Sequence, residues 1–145
     1  MNTLTPTASA DSTHELKTVF NVLRLTYGII PIVAGLDKFT NLLTNWEKYV
    51  NTGLASLLPF NIHIFMMIVG VIEVIAGIVV LLKPKLGGYI VAAWLTIIAI
   101  SLISGGKYVD VAVRDLVMAV GAFCLALISK IDWNTRNRIL KSIVQ

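Results

Sequence analysis

Five ionisable residues, Asp37, Lys38, Glu73, Arg114 and Asp115, stand inside stretches that are otherwise apolar. An ionised side chain in hydrocarbon costs several kcal/mol even on lenient insertion scales, so each of the five needs a partner, a proton or a wet cavity. Glu73 is the most informative of them, because it lies near the midpoint of an apolar run and is flanked by Gly70 and Gly77. Three roles are open to it: a protonated bridge between helices, a proton-handling or ligand-binding group, or an ion pair with Arg24 or Arg114. No other chemistry announces itself. His14 and His63 do not form a helix-buried pair that could ligate a haem. The chain has no Gly-rich phosphate loop, no metal-spaced ligand set and no nucleophile elbow. Its one cysteine, Cys124, excludes an internal disulfide, a CxxC pair and a cysteine metal site, and is expected to be a small core residue. No catalytic residue can be named, no metal or covalent cofactor is expected, and a self-contained enzyme of a familiar type is not indicated.

These charges must be positioned by membrane helices. Of the 145 residues 57% are hydrophobic and only 14% charged, and the mean hydropathy is +0.82, well outside the range of soluble domains. The length admits about four spans of roughly 20 residues each. The net charge of +4 does not point to nucleic acid, because Lys and Arg gather at the ends of the apolar runs, where membrane topology requires them.

The pattern predicts an all-α integral membrane four-helix bundle over residues 16–130, with spans near 22–43, 62–82, 87–104 and 109–129. Residues 1–15 are polar and are expected to be disordered. Residues 131–145 are basic, with Trp133 near the interface, and suggest an amphipathic surface helix. Arg24, Gly28, Pro31, Gly35 and Lys38 fall near one helical face, which should point into the bundle. Trp46 and Tyr49 belong to an amphipathic stretch from Asn41 to Asn61 that caps one side of the bundle, and Trp94 lies deep enough that its indole N–H should seek a partner inside.

The expected inner side carries Lys17, Lys83, Lys85, Lys130, Arg136, Arg138 and Lys141, whereas the opposite loops offer Lys48 and Lys107. The positive-inside rule then places both termini in the cytoplasm. Counting residues along the helices sets Asp37, Lys38, Arg114 and Asp115 at one depth, with Glu73 about a turn deeper. The simplest network pairs Asp37 with Arg114 and Lys38 with Asp115, and leaves Arg24 to snorkel at the inner interface. Such a cluster either specifies helix pairing or lines a polar pocket for a quinone headgroup, a small acid or a proton.

LRLTYGIIPIVAGLDKF, followed by W-x-x-Y, GVIEVIAG and VRDLVMAVGAFCLAL, resembles the DoxX-like family of small four-helix bacterial membrane proteins. The resemblance spans about Leu23 to Ser129, and the matching residues are Arg24, Gly35, Asp37, Lys38, Trp46, Tyr49, Glu73, Arg114 and Asp115. The family takes its name from a membrane subunit of a thiosulfate:quinone oxidoreductase. The resemblance therefore implies a multi-pass protein of the bacterial cytoplasmic membrane, serving as a small subunit or anchor for a quinone-linked redox enzyme. It has no paired cysteines for direct thiol chemistry.

The site expected on these grounds is the cluster Asp37, Lys38, Glu73, Arg114 and Asp115, with Arg24, Tyr27, Trp46, Tyr49 and Trp94 around it. Its partners would be the lipid bilayer, a redox subunit and other copies of the chain. Two other classes remain open at this point: a minimal transporter or channel subunit using the same charges as a path, and a purely structural assembly factor.

Overall fold

A long apolar helix can end only where its last carbonyls and the following amides find partners, and those ends divide this chain into its elements. The computed structural model describes residues 6–50, 59 and 61–144, with side chains described over 14–50, 59 and 61–131. Helix α1 (Pro6–Thr40) leads through a short 3-10 helix (Trp46–Tyr49) to α2 (Ile62–Leu82), α3 (Pro84–Gly105) and α4 (Val109–Val144). Among the described residues every element is helical. Four helices contain segments long and apolar enough to cross a membrane, at His14–Thr40, Ile62–Leu82, Pro84–Gly105 and Val109–Ile131. The chain is thus an all-α, multi-pass membrane protein by length and composition.

The second span matches its expected bounds, and the third begins earlier, because Pro84 sits at the first helical position, where its missing N–H is no loss. The first span ends at Thr40 rather than Leu43: Asn41 turns into the left-handed region at φ 51°, and Asp37 captures the amides of Leu42 and Leu43. Helix α1 reaches back to Pro6 and so includes 6–15 of the segment expected to be disordered, while 1–5 lie outside the described residues. Of the expected interfacial stretch, 51–58 and 60 also lie outside them, as does Gln145. Helix α4 continues through 131–144, where the amphipathic tail was expected, with side chains beyond Ile131 outside the described residues.

The helices associate as two pairs, α1 with α2 and α3 with α4, which touch each other less extensively than the members of each pair do. Small residues set both contacts. A methyl group added at Gly35 would stand 2.5 Å from the Gly70 carbonyl oxygen, and one at Gly77 would stand 2.5 Å from that of Gly28. Gly28 and Gly35 on α1 therefore face Gly77 and Gly70 on α2 in antiparallel register, the close backbone approach that drives helix association in lipid. In the second pair, a methyl group at Gly88 would stand 2.8 Å from the Ala122 carbonyl oxygen.

Two buried clusters hold the pairs together. Ala76, Val80, Val91, Ala122 and Leu125 pack near the α2–α3 turn, and Ala99, Leu102 and Ala112 pack near the α3–α4 turn. The outward faces are apolar, with Ile29, Val33, Ile64, Ile75, Ile100 and Val117 all exposed. Such a surface is satisfied by lipid and not by water. Cys124 corrects an expectation: it lies on this outward face and not in the core. The inward positions of its turn are Ala122, Leu125 and Ala126, and at about 100° per residue Cys124 falls between them on the far side.

Candidate functional site

Glycine packing brings two of the expected site residues together. Lys38 stands one turn from Gly35 and Glu73 one turn from Gly70, so the backbone contact sets their helices side by side. The Cα–Cβ bonds of a helix tilt toward its own N-terminus. In this antiparallel pair the Lys38 and Glu73 side chains consequently lean toward each other, and Lys38 Nζ lies 2.6 Å from Glu73 Oε2 with both residues buried. This pairing replaces the expected one of Lys38 with Asp115, and it gives Glu73 a partner other than Arg24 or Arg114. Counting depth along straight helices missed it because it ignored the inward lean of both side chains.

Asp37 does not pair with Arg114. Its carboxylate closes the end of α1: Oδ1 accepts from the Leu42 amide at 2.9 Å and the Leu43 amide at 3.0 Å, and Oδ2 accepts from Trp46 Nε1 at 2.7 Å. Local amides beyond a helix end compete well for a carboxylate, and they win here over a guanidinium on another helix. The consequence is positional, because the indole held by Asp37 lies against Lys38, with Nζ 3.9 Å from the ring centroid. Asp37, Trp46, Lys38 and Glu73 form one continuous chain of contacts. The 3-10 helix carrying Trp46 is also tied to α2 at its next residue, where His63 Nδ1 meets Glu47 Oε1 at 2.9 Å.

Arg24 is also engaged. Its guanidinium donates to the Leu81 carbonyl through Nε, at 3.0 Å, and through Nη2. A cation at the last carbonyls of α2 satisfies acceptors the helix leaves open and complements its dipole. Arg24 thereby ties the middle of α1 to the C-terminal end of α2 and is not free to snorkel.

Between the two helix pairs lies a cavity of about 550 Å³. Its walls are largely apolar, with Ile30, Val69, Ala76, Val91, Leu95 and Met118 among them. Its polar lining comes from all four helices and the 3-10 segment, including Lys38, Glu73, Arg114 and Asp115, with Tyr27, Trp46, Tyr49 and Trp94. Of the ten residues expected at the site, eight line this one space, and Asp37 and Arg24 support it from outside. Asp115 lies within the electrostatic reach of Glu73 and Lys38. The Tyr27 hydroxyl rests against Gly121 of α4, where a side chain would collide with it. The Trp94 indole N–H, expected to find a partner in the bundle, is buried without one.

A second, smaller cavity of about 120 Å³ opens at the end of the α3–α4 turn, where Lys48, Lys107 and Tyr108 line it. It shares Tyr49, Val50, Ser101 and Leu102 with the larger one, and Tyr49 packs edge-on against Tyr108 with centroids 4.8 Å apart. The signal that sequence reasoning lacked for Ser101 and Thr26, which also line the large cavity, is weak: single hydroxyls in apolar helices usually bond their own backbone.

Among the described residues no group of three His, Cys, Asp or Glu side chains could hold a metal ion. What the arrangement can do is enclose an apolar molecule and meet its polar end with paired charges, two carboxylates and several donors. Neither a protein-family model, nor a curated protein, nor a solved structure matches the chain.

Proposed function

We propose that the chain is a DoxX-like protein of the bacterial cytoplasmic membrane, with both termini in the cytoplasm, that holds an amphipathic ligand such as a quinone within the bilayer and serves as the small membrane subunit or anchor of a quinone-linked redox enzyme. The observation that carries this reading is the cavity of about 550 Å³ between the helix pairs, apolar over most of its wall and lined at several points by Lys38, Glu73, Arg114 and Asp115. Its volume falls in the range of small-molecule sites, roughly 300–1,000 Å³, and sites of that kind combine apolar walls with a few placed polar groups. A cluster that served helix pairing alone would consume its charges in pairs. Here Lys38 and Glu73 do so, whereas Arg114 makes no hydrogen bond or ion pair among the described residues.

The test is extraction in a mild detergent through a tag on the C-terminus, followed by mass spectrometry of what co-purifies. A stoichiometric quinone, together with a flavin, haem or copper protein, is the expected result. A homo-oligomer carrying only bulk lipid would overturn the redox-subunit role, as would unchanged partner association and phenotype in Glu73→Gln and Arg114→Leu variants.

A further inference from the structure

The cavity wall carries two donors without a partner among the described residues, and they define what can fill it. Trp94 lies midway along α3, lines the cavity, and buries Nε1 without a hydrogen-bond partner. An indole N–H can only donate, and a buried donor left unpaired costs the free energy of its desolvation. Phenylalanine, a smaller ring, would keep an apolar surface here without that cost. A tryptophan in this place is accounted for by an acceptor that comes from outside the chain. Arg114, on α4, lines the same space with a guanidinium that has five N–H donors and no acceptor, and it too has no hydrogen bond or ion pair among the described residues. It is exposed as well as cavity-lining, which sets it at the cavity's edge. The nearest oppositely charged group in sequence, Asp115, does not bond it, and Glu73 is held by Lys38.

Resting on the reading of the cavity as a ligand site, we infer that its ligand presents a carbonyl or carboxylate oxygen to Arg114 and to Trp94, whose covered Nε1 turns toward the cavity to meet it, on an apolar body that covers the remaining wall. Trp94 is then a specificity-determining residue: a site built to donate a hydrogen bond rejects an analogue that lacks the acceptor, because the donor is stranded again. The shared chemistry, an sp² oxygen on an apolar chain, is that of a quinone and equally of a fatty acid.

Native mass spectrometry of the full chain in lipid nanodiscs, titrated with a decyl-substituted benzoquinone, with decanoic acid and with decylbenzene, tests the inference and separates the sources. The expected result is that the quinone or the acid binds, whichever is tighter naming the source, and that decylbenzene binds at least about tenfold more weakly, the factor a single hydrogen bond confers. Trp94→Phe and Arg114→Gln should each weaken the acceptor ligand by about tenfold relative to decylbenzene, which reports any change in the cavity's shape alone. Full affinity for the acceptor ligand in both variants, or decylbenzene binding as tightly as the others, would overturn the inference while leaving a ligand site in place. Binding by none of the three would overturn the ligand site itself.

Discussion

Lys38 and Glu73 form a buried ion pair across α1 and α2, with Nζ and Oε2 2.6 Å apart and side chains 4% and 11% exposed. The pair depends on glycine at two neighbouring positions, since a side chain at Gly35 or Gly70 would separate the helices that carry it. It also borders the cavity on one side and the Trp46 ring on the other.

Breaking one half of that pair should cost more than removing it whole. Lys38→Met strands a buried carboxylate, and the expected loss is about 3 kcal/mol or more. Glu73→Gln, which retains an acceptor for Lys38, should cost less, and Lys38→Met combined with Glu73→Leu should recover most of the stability. Thermal unfolding in detergent of the parent chain, Lys38→Met, Glu73→Leu and the double variant, as a double-mutant cycle, measures the coupling. Additive losses would show that the pair does not act as a unit.

The glycine contact between α1 and α2 gives a sharper steric expectation. Gly35→Val should disrupt the bundle outright, because its Cβ would meet the Gly70 carbonyl at 2.5 Å. Gly106→Ala meets nothing within 4 Å but sits at φ +68°, so it should cost only about 1 kcal/mol through backbone strain. Yield of monodisperse protein by size-exclusion chromatography, with melting temperature, distinguishes the two.

Asp37 acts on the site through Trp46. Asp37→Ala removes the acceptor of two amides and an indole N–H, with an expected cost of about 1–3 kcal/mol. Trp46 emission should shift to longer wavelength as the ring leaves Lys38 for a wetter setting. Asp37→Asn, which keeps one acceptor oxygen, should show a smaller shift. An unchanged spectrum in Asp37→Ala would mean that the carboxylate does not position the ring.

The proposed orientation is open to a labelling test in a Cys124→Ser background. With both termini cytoplasmic, Lys107→Cys should react with a membrane-impermeant maleimide in intact cells, and Lys85→Cys should react only after permeabilisation. The reverse pattern would invert the topology.

The spans were legible because uninterrupted apolar length is a one-dimensional signal. Ile62–Leu82 came out as expected, Pro84 and the Asp37 amide clamp moved two other ends, and the first and fourth helices ran on past their expected bounds into the polar flanks. That these side chains gather was legible for a related reason: a charged or indole side chain in an apolar helix has few places to go, and eight of the ten expected residues line one cavity. Partner choice was not. It turns on side-chain lean and on rotation about the helix axis, which glycine contacts between distant segments decide. Lys38 went to Glu73 and Asp37 to its own loop for that reason, and Cys124 faced outward because Ala122, Leu125 and Ala126 already occupied the inner arc.

The central claim is that the space between the helix pairs holds a ligand. Trp46 and Trp94 both line it, so in proteoliposomes of a Trp133→Phe chain a decyl-substituted benzoquinone should quench their emission saturably. Ala34→Phe, which adds bulk to the cavity wall at a residue in its lining, should abolish the saturable part while the protein stays folded by circular dichroism. Equal, linear quenching in both proteins, as expected of a quinone merely dissolved in the surrounding lipid, would contradict it.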